Sequence, residues 1–245
     1  MQSVSALYRT LLAAGASKEV QAVIGTGSGN ENYEQNRIVS ATTKSSVMDK
    51  AATIGNCIAK ELNLVVRNPG VIPRMALISM RYRLNNGTTQ SEWIPKGKFY
   101  VDTREEGNGV LSLTAYDPML FADKPYTNIG RRGLWPRLTY QTGSNESERG
   151  VVNVIASRIE VEIDPRTAEL LSANPISVPY PGEGVYTMRE MLGYIGAMYG
   201  GNWIITDENK LRLIVLGDIP DEETNLLITE YSEYILIGGY RIIVR

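Results

Sequence analysis

Residues 54–126 read IGNCIAKELNLVVRNPGVIPRMALISMRYRLNNGTTQSEWIPKGKFYVDTREEGNGVLSLTAYDPMLFADKPY. Alternation of apolar and polar residues predicts strands at 61–67, 75–84, 91–104 and 109–116. Asn85-Asn86-Gly87 predicts a type I′ hairpin turn between the second and third strands, because Asn and Gly tolerate positive φ. Pro95 interrupts the third strand, so we expect a bend, a bulge or an edge position there. The stretch therefore predicts an antiparallel sheet that curls or closes into a β-barrel.

The flanking sequence adds helices to this sheet. The predicted segments before residue 54 are a helix at 4–14, a strand at 19–24, a flexible loop at 25–32 and an edge strand or lid within 40–51. Those after residue 126 are helices at 147–161 and 164–171, a loop at 174–186, a helix from 187, a hairpin of 202–206 with 211–216, and two strands within 225–245. Together they predict an α+β fold that is rich in β-structure and has few helices.

The helix from 187 has the clearest local signals. Thr187 and Glu190 are spaced as a capping box, in which each side chain satisfies a backbone N–H group. Its apolar face is predicted to consist of Met188, Met191, Leu192, Ile195 and Met198. A methionine-rich face can be an adaptable interface, but here it more often indicates ordinary core.

Composition excludes several classes of function. The chain has 245 residues, a net charge of −2 and interspersed acids and bases, so we expect no specific nucleic-acid binding. No apolar run is long enough for a transmembrane segment. The single cysteine, Cys57, excludes an intrachain disulfide and is expected to be a small buried apolar residue.

The sequence contains no histidine. Triads that depend on histidine, and metal sites ligated by histidine, are therefore impossible. We predict no catalytic residues, no metal ligands and no cofactor. Asp102, Glu105 and Glu106 are interpreted as a solvated strand end, because a glycosidase pair must face each other across a cleft. Gly25-Thr26-Gly27-Ser28-Gly29 lacks the Gly-Lys-Ser/Thr ending of a phosphate loop.

Five residues are candidates for an interface. Trp93, Lys96 and Lys98 surround the bend expected at Pro95, where the lysines would face a neighbour or a lumen. Core packing around a proline bend is the alternative for this block. Tyr180 and Tyr186 lie in a long irregular loop, which would either carry contacts or form a local packed turn.

Several segments resemble the N-terminal hub region of phage tail and baseplate proteins, from tailed phages and prophages of Gram-positive bacteria. The main ones are 54–56, 61–64, 72–76, 91–97, 99–104, 116–117, 164–168, 178–181, 187–190 and 237–239. The resemblance implies tail-tube-like β-barrel or split-barrel modules, with residues 1–126 as the first module and 127–245 as a second, helix-containing region. It also implies a chain that is the N-terminal part of a longer polypeptide or ends at a domain seam.

The same resemblance implies a structural, non-enzymatic role. The expected assembly is a homotrimer that caps the distal end of a tail tube and connects it to a spike or a lysin. Its expected partners are the tail tube, the distal tail protein and the tape-measure protein. The expected location is the tail or baseplate of a virion, or a phage-like particle such as a contractile injection system, assembled in the bacterial cytoplasm.

Two rival functions remain open at this point. A peptidoglycan hydrolase would need two close carboxyl groups in a cleft, one of them with a raised pKa. A glycan-binding module would place Trp93, Trp135 or Trp203 in a groove.

Overall fold

The computed structural model describes residues 4–47, 53–67, 69–107, 109–127, 136–179, 182, 184–216, 233–237 and 240–244, the last two ranges by their backbone alone. Its helices are α1 (Ala6–Ala13), α2 (Val151–Arg158), α3 (Pro165–Ala173) and α4 (Met188–Met198), with a 3₁₀ turn at Pro118–Asp123. Its strands are β1 (Ser17–Thr26), β2 (Gly29–Tyr33), β3 (Ile38–Lys44), β4 (Glu61–Arg67), β5 (Leu77–Asn85), β6 (Ile94–Gly107), β7 (Val110–Tyr116), β8 (Arg137–Leu138), β9 (Glu162–Ile163), β10 (Ser177–Val178), β11 (Gly201–Ile205), β12 (Lys210–Val215), β13 (Glu233–Ile237) and β14 (Tyr240–Val244).

In the described residues, seven strands form one antiparallel sheet in the order β2-β1-β5-β6-β7-β4-β3. The prediction of a β-rich α+β fold is confirmed. The sheet is open and not a closed barrel, because β2 and β3 are its two ends and no described strand joins them.

One face of this sheet buries the apolar residues that alternate along its strands. The largest of them with no exposed surface are Tyr33, Phe99, Ile24, Leu62, Leu64 and Ile78. Burying each such side chain stabilises the fold by roughly 1.5–3 kcal/mol. The alternation in the sequence therefore correctly predicted which face of the central strands is inside.

Pro95 is accommodated by a bulge. Arg81 pairs with Pro95 and Met80 pairs with Gly97, so Lys96 is an extra residue in β6. At Pro95 strand β6 pairs with β5 alone, because β7 pairs with β6 only from Tyr100 onward. Proline, which cannot donate to a ladder, therefore lies at a bulge and at a locally free edge. The sequence-based prediction of a bulge is thus confirmed.

Two turns differ from the sequence-based predictions. The segment 25–32 is not a flexible loop, since β1 runs to Thr26 and pairs with β2 through a tight turn. The turn after β5 has positive φ at Gly87 (+92°) but not at Asn86, so it is not type I′. The Asn86 amide N–H donates to the Thr89 carbonyl at 3.2 Å, which makes Gly87 the first central residue, as in a type II′ turn.

The described residues of 117–127, 136–179 and 184–216 contribute to a second core, formed mainly by α2, α4, β11 and β12. Trp203 is fully buried there, and its indole N–H donates to the Leu192 carbonyl at 2.7 Å. Strands β11, β12 and β9 form a small sheet. The segment 174–186, predicted to be a loop, contains the short strand β10, which pairs with β8. The capping box of Thr187 and Glu190 is present. Met198 is 45% exposed, so the prediction that it joins the buried face of α4 was wrong.

The segment 53–57 belongs to this second core although in sequence it lies between β3 and β4 of the large sheet. The Gly55 amide donates to the Gly201 carbonyl at 3.0 Å, and Cys57 is buried in the same core. Gly55 has φ +86°, and a Cβ atom there would lie 2.7 Å from the Gly193 carbonyl oxygen. A side chain at this position would separate the segment from α4. The division at residue 126 stays a prediction.

Helix α1 packs on one end of the sheet. Tyr8 and Leu11 are buried against Leu84 and Ile94 in a small separate core. The backbone N–H and the hydroxyl of Ser5 donate to the two carboxylate oxygens of Glu92, at 2.7 and 2.6 Å. The helix predicted at 4–14 is confirmed, with Ser5 as its cap.

Candidate functional site

The last strand of the large sheet, β3, is the most exposed strand of that sheet. Its residues 39–44 are all exposed, whereas its neighbour β4 alternates between buried and half-buried positions. Val39, an apolar residue, is 48% exposed. No described strand pairs with the side of β3 that faces away from β4. A free strand edge of this kind is a template for pairing with another chain.

The other end of the sheet, β2, is tied down by its own side chains. Tyr33 is fully buried, and its hydroxyl donates to Glu31 at 3.0 Å and accepts from the Gly70 amide at 3.1 Å. Arg37 binds Glu31 at 2.7 Å and lies over the Tyr33 ring at 4.1 Å. These bonds, that from Arg37 first, lower the pKa of Glu31 below its ordinary value. The β2 edge is therefore braced within the chain.

Lys96 joins the large sheet to the second core. Its ammonium group binds Asp207 at 3.0 Å, and Lys60, whose side chain is 10% exposed, binds the other carboxylate oxygen of Asp207. Asp207 lies in the turn between β11 and β12. Lys96 thus has a partner within the chain, whereas Lys98 is exposed. The prediction that these lysines face a neighbour or a lumen stays a prediction.

Asp117 fixes the point where β7 leads into the second core. Its carboxylate accepts from the Lys60 amide at 2.9 Å and from the Met119 amide at 3.0 Å. The residue is 2% exposed, and burial raises its pKa to about 6. Each oxygen of the buried carboxylate thus accepts a hydrogen bond from a backbone N–H group, so the carboxylate has a structural role.

Arg189, on α4, binds the residues that follow Asp117 and the segment that contains Cys57. It donates to the carbonyl oxygens of Cys57 and Met119 and to the carboxylate of Asp123. Cys57 is buried, and burial raises the pKa of its thiol to about 12. The sequence-based interpretation of Cys57 as an inert core residue is confirmed. The contacts of Asp117 with Lys60, of Arg189 with Met119 and of Asp207 with Lys96 join residues far apart in sequence, and no local pattern indicated them.

Trp93 lies at a polar cleft on the large sheet, which we call the Trp93 cleft. Its volume is about 210 Å³, and it is lined by Glu19, Val20, Glu34, Gln35, Asn36, Arg83 and Trp93. The guanidinium carbons of Arg83 and Arg81 lie 4.5 and 5.0 Å from the Trp93 ring centre. The half-buried Trp93 therefore does not belong to the apolar core; core packing is the wrong alternative for it.

Tyr186 lies in a packed turn. Its ring contacts Tyr194 edge-on, with 5.3 Å between ring centres, and its carbonyl accepts from the Tyr126 amide at 2.7 Å. Tyr180 and Trp135 lie outside the described residues, and Trp203 is buried in the core. Of the described candidates, Tyr186 packs against the second core, whereas Trp93, Lys96 and Lys98 lie on or next to β6. That the five candidates form an interface stays a prediction.

A second, wider cleft of about 480 Å³ lies beside α2 and β9, where Glu162 is the acidic residue of its lining. In the Trp93 cleft, Glu19 accepts hydrogen bonds from Asn85 and Arg83, and these lower its pKa. A glycosidase acid needs the opposite shift. The Trp93 cleft contains two carboxylates, but Glu19 already binds Asn85 and Arg83, and Glu34 accepts from Gln21. The wider cleft has Glu162 alone, so neither cleft presents a pair of carboxyl groups without partners within the chain.

No group of three or more potential metal ligands occurs among the described residues. None of the helices in the described ranges combines the length and the apolarity needed to cross a bilayer.

No protein-family model and no curated protein matches the sequence. Among solved structures, the chain is similar to the tail protein from Neisseria meningitidis MC58, with a TM-score of 0.44, 11% identity, 80% of this chain covered and 51% of that chain. It is also similar to the 43 kDa tail protein of prophage MuSo2 from Shewanella oneidensis, with a TM-score of 0.43, 10% identity and coverages of 81% and 56%. A chain of the Francisella PdpA-VgrG complex gives a TM-score of 0.46, 9% identity and coverages of 91% and 37%. The chain thus spans about half of the length of the two tail proteins.

Proposed function

We propose that this chain is a structural hub protein of a phage tail or a related particle, which caps the distal end of a tail tube and connects it to a spike or a lysin. The observation that carries the proposal is β3, a seven-residue strand with an unpaired edge and nearly complete exposure on both faces. An isolated domain gains little from holding such a strand at the end of a sheet, whereas an assembly completes it. The resemblance of the sequence to tail hub proteins is the second support.

The proposed assembly is a homotrimer in which the β3 edge of each copy meets the next copy around an axis. In such a ring each contact is heterologous, so β3 meets a surface of the neighbour other than β3 or β2, and the ring closes when the rotation allows. The ion pairs of Lys96 and Lys60 with Asp207 suit this role, because they join the large sheet to the second core within one chain. Contacts of obligate size, roughly 2,000 Å² or more per pair, are expected between the copies.

The hydrolase alternative has no support in the clefts of the described chain. Glu162 is the single acidic residue of its cleft, hydrogen bonds from Asn85 and Arg83 lower the pKa of Glu19, and Glu34 accepts from Gln21. We therefore propose a non-enzymatic role for the chain.

Light scattering coupled to size exclusion tests the assembly. We expect a mass of three times the 27.1 kDa chain at high protein concentration. Val39→Lys should shift the protein towards the monomer, because a charge on an edge strand disfavours pairing. The matched control is Thr88→Lys, which places the same charge in an exposed turn and should leave the mass unchanged. A wild-type protein that stays monomeric contradicts the proposal.

A further inference from the structure

We propose that the Trp93 cleft binds a neutral saccharide, with the indole ring of Trp93 as the surface on which one sugar ring stacks. This proposal is independent of the tail role, because the cleft is formed within a single chain by β1, β5, β6 and the turn after β2.

The aromatic wall of the cleft is held in place before any ligand arrives. Arg83 lies at 4.5 Å from the Trp93 ring centre, and its Nε donates to Glu19 at 2.7 Å. Arg81 lies at 5.0 Å from the same ring, and its Nε donates to Gln21 at 2.5 Å. Arg81 and Arg83 are two positions apart on β5, so both guanidinium groups approach the ring from the same side of that strand. A sugar would stack on the opposite face of the indole, whose partial negative charge attracts the weakly positive C–H groups of a sugar. A preordered ring gives this contact at little entropic cost.

The opposite side of the cleft supplies polar groups with both donors and acceptors. Gln35 and Asn36 are exposed amides in the turn that follows β2, and each can donate and accept. Glu34 accepts from Gln21 at 2.9 Å through one carboxylate oxygen, and a carboxylate has room for further donors. Neighbouring hydroxyl groups on a sugar match this mixture, since each hydroxyl is itself a donor and an acceptor.

Charge and size narrow the ligand class. Glu19, Glu34 and Arg83 line the cleft, and Arg81 lies beside Trp93 outside the lining. These four charges cancel, so no excess of one sign selects a phosphate or a cation. Its volume of about 210 Å³ is below the range of sites for drug-sized ligands, which begins at roughly 300 Å³. A single neutral sugar ring fits these limits better than a nucleotide or a long chain.

The test is a nuclear magnetic resonance titration of the full chain with glucose, galactose, N-acetylglucosamine and, separately, inorganic phosphate. At least one of the sugars should shift the Trp93 indole N–H signal and the side-chain amide signals of Gln35 and Asn36, with a Kd on the order of 1 mM. The indole signal is assigned by its loss in Trp93→Phe.

Three variants separate stacking from a general effect on the fold. Trp93→Ala should weaken binding at least about tenfold, which corresponds to about 1.4 kcal/mol. Trp93→Phe keeps an aromatic plane and should bind within about threefold of wild type, as followed by the amide signals. Tyr194→Ala removes an exposed aromatic ring elsewhere and should bind like wild type. The proposal is overturned if no sugar shifts these signals, if only phosphate does, or if Trp93→Ala binds sugar like wild type.

Discussion

The two ends of the large sheet are built differently although both are edge strands. At β2, Tyr33 is buried and a network of Glu31, Arg37 and the Gly70 amide holds the edge in place. At β3, residues 39–44 are exposed, and none of them fills the core. The β2 edge is thus stabilised by contacts within the chain. The β3 edge has strand geometry without the buried side chains that usually stabilise a strand.

The sequence of β3, IVSATTK, explains how such a strand forms. Its β-branched residues favour extended backbone, and its small polar residues tolerate water on both faces. Its last residue, Lys44, lies 3.7 Å from Glu61 on β4 across an exposed surface. A contact of this kind stabilises by at most about 1 kcal/mol. The strand is therefore held mainly by its ladder with β4.

The largest effect is expected from removing a buried anchor of the β2 end. Tyr33→Ala should lower the free energy of unfolding by about 3–5 kcal/mol, as for other large aromatic side chains lost from a core. Val39→Ala on β3 is the matched control and should change it by less than about 0.5 kcal/mol in the monomer. Urea unfolding at a protein concentration that favours the monomer measures both, and equal effects would remove the contrast between the edges.

The next largest effect on stability concerns the protonation of Asp117, at the point where β7 leads into the second core. Burial raises the pKa of Asp117 from 3.8 to about 6, so the folded state binds this proton more tightly than the unfolded state. The corresponding stability is present below pH 3.8 and is lost as the pH rises through about 6. The loss amounts to at most about 3 kcal/mol.

Asp117→Asn tests this linkage through the pH dependence of unfolding. Its effect at any single pH also contains the loss of one backbone hydrogen bond, because an amide oxygen replaces two carboxylate oxygens. The lost hydrogen bond shifts the stability of the variant but does not change the slope of stability against pH. Between pH 4 and about 6 the slope should be more positive in the variant, because the loss of stability that accompanies deprotonation of Asp117 is absent. Identical slopes would contradict a buried, titrating Asp117.

The smallest effect has the opposite sign and lies at the β2 edge. Hydrogen bonds from Arg37 and Tyr33 lower the pKa of Glu31, so its contribution to stability is present above the ordinary value of 4.5 and is lost as the pH falls below it. The pair is about one-third exposed, which limits the contribution to less than about 1 kcal/mol.

Glu31→Gln should therefore be slightly less stable than wild type at neutral pH and should approach it on acidification. The exposed Glu105, at the far end of β6, supplies the control Glu105→Gln, for which little change is expected. Urea unfolding curves across the acid range measure both variants. A constant difference between Glu31→Gln and wild type would show that the network at β2 does not depend on the carboxylate charge.

Sequence reasoning succeeded where structure is decided locally. Pro95 predicted a bulge because proline cannot donate to a ladder, and Thr187 with Glu190 predicted a helix start through their own side chains. The alternation of Leu62, Leu64 and Val66 predicted a buried face of β4.

It failed where long-range contacts decide. The glycine-rich segment 25–32 has the composition of a loop, but Gly25 and Thr26 pair with Asn30 and Gly29, so β1 and β2 extend through it. Tyr33, at the end of β2, is buried in a core that strands distant in sequence complete. Lys96 and Asp207 are 111 positions apart, so no sequence pattern reveals their ion pair. The Trp93 cleft likewise combines residues from β1, the turn after β2, and β5 with Trp93. The sequence indicated Trp93 only as a candidate interface or groove residue, because it is an aromatic residue next to polar ones.

The most direct test of the central claim is hydrogen exchange of β2 and β3 backbone amides in one sample, measured at rising protein concentration. If β3 is completed by another copy of the chain, its outward amides should become protected as the concentration increases, while those of β2 keep a constant rate. Fast exchange of the outward β3 amides at every concentration, together with a monomeric mass, would contradict the claim.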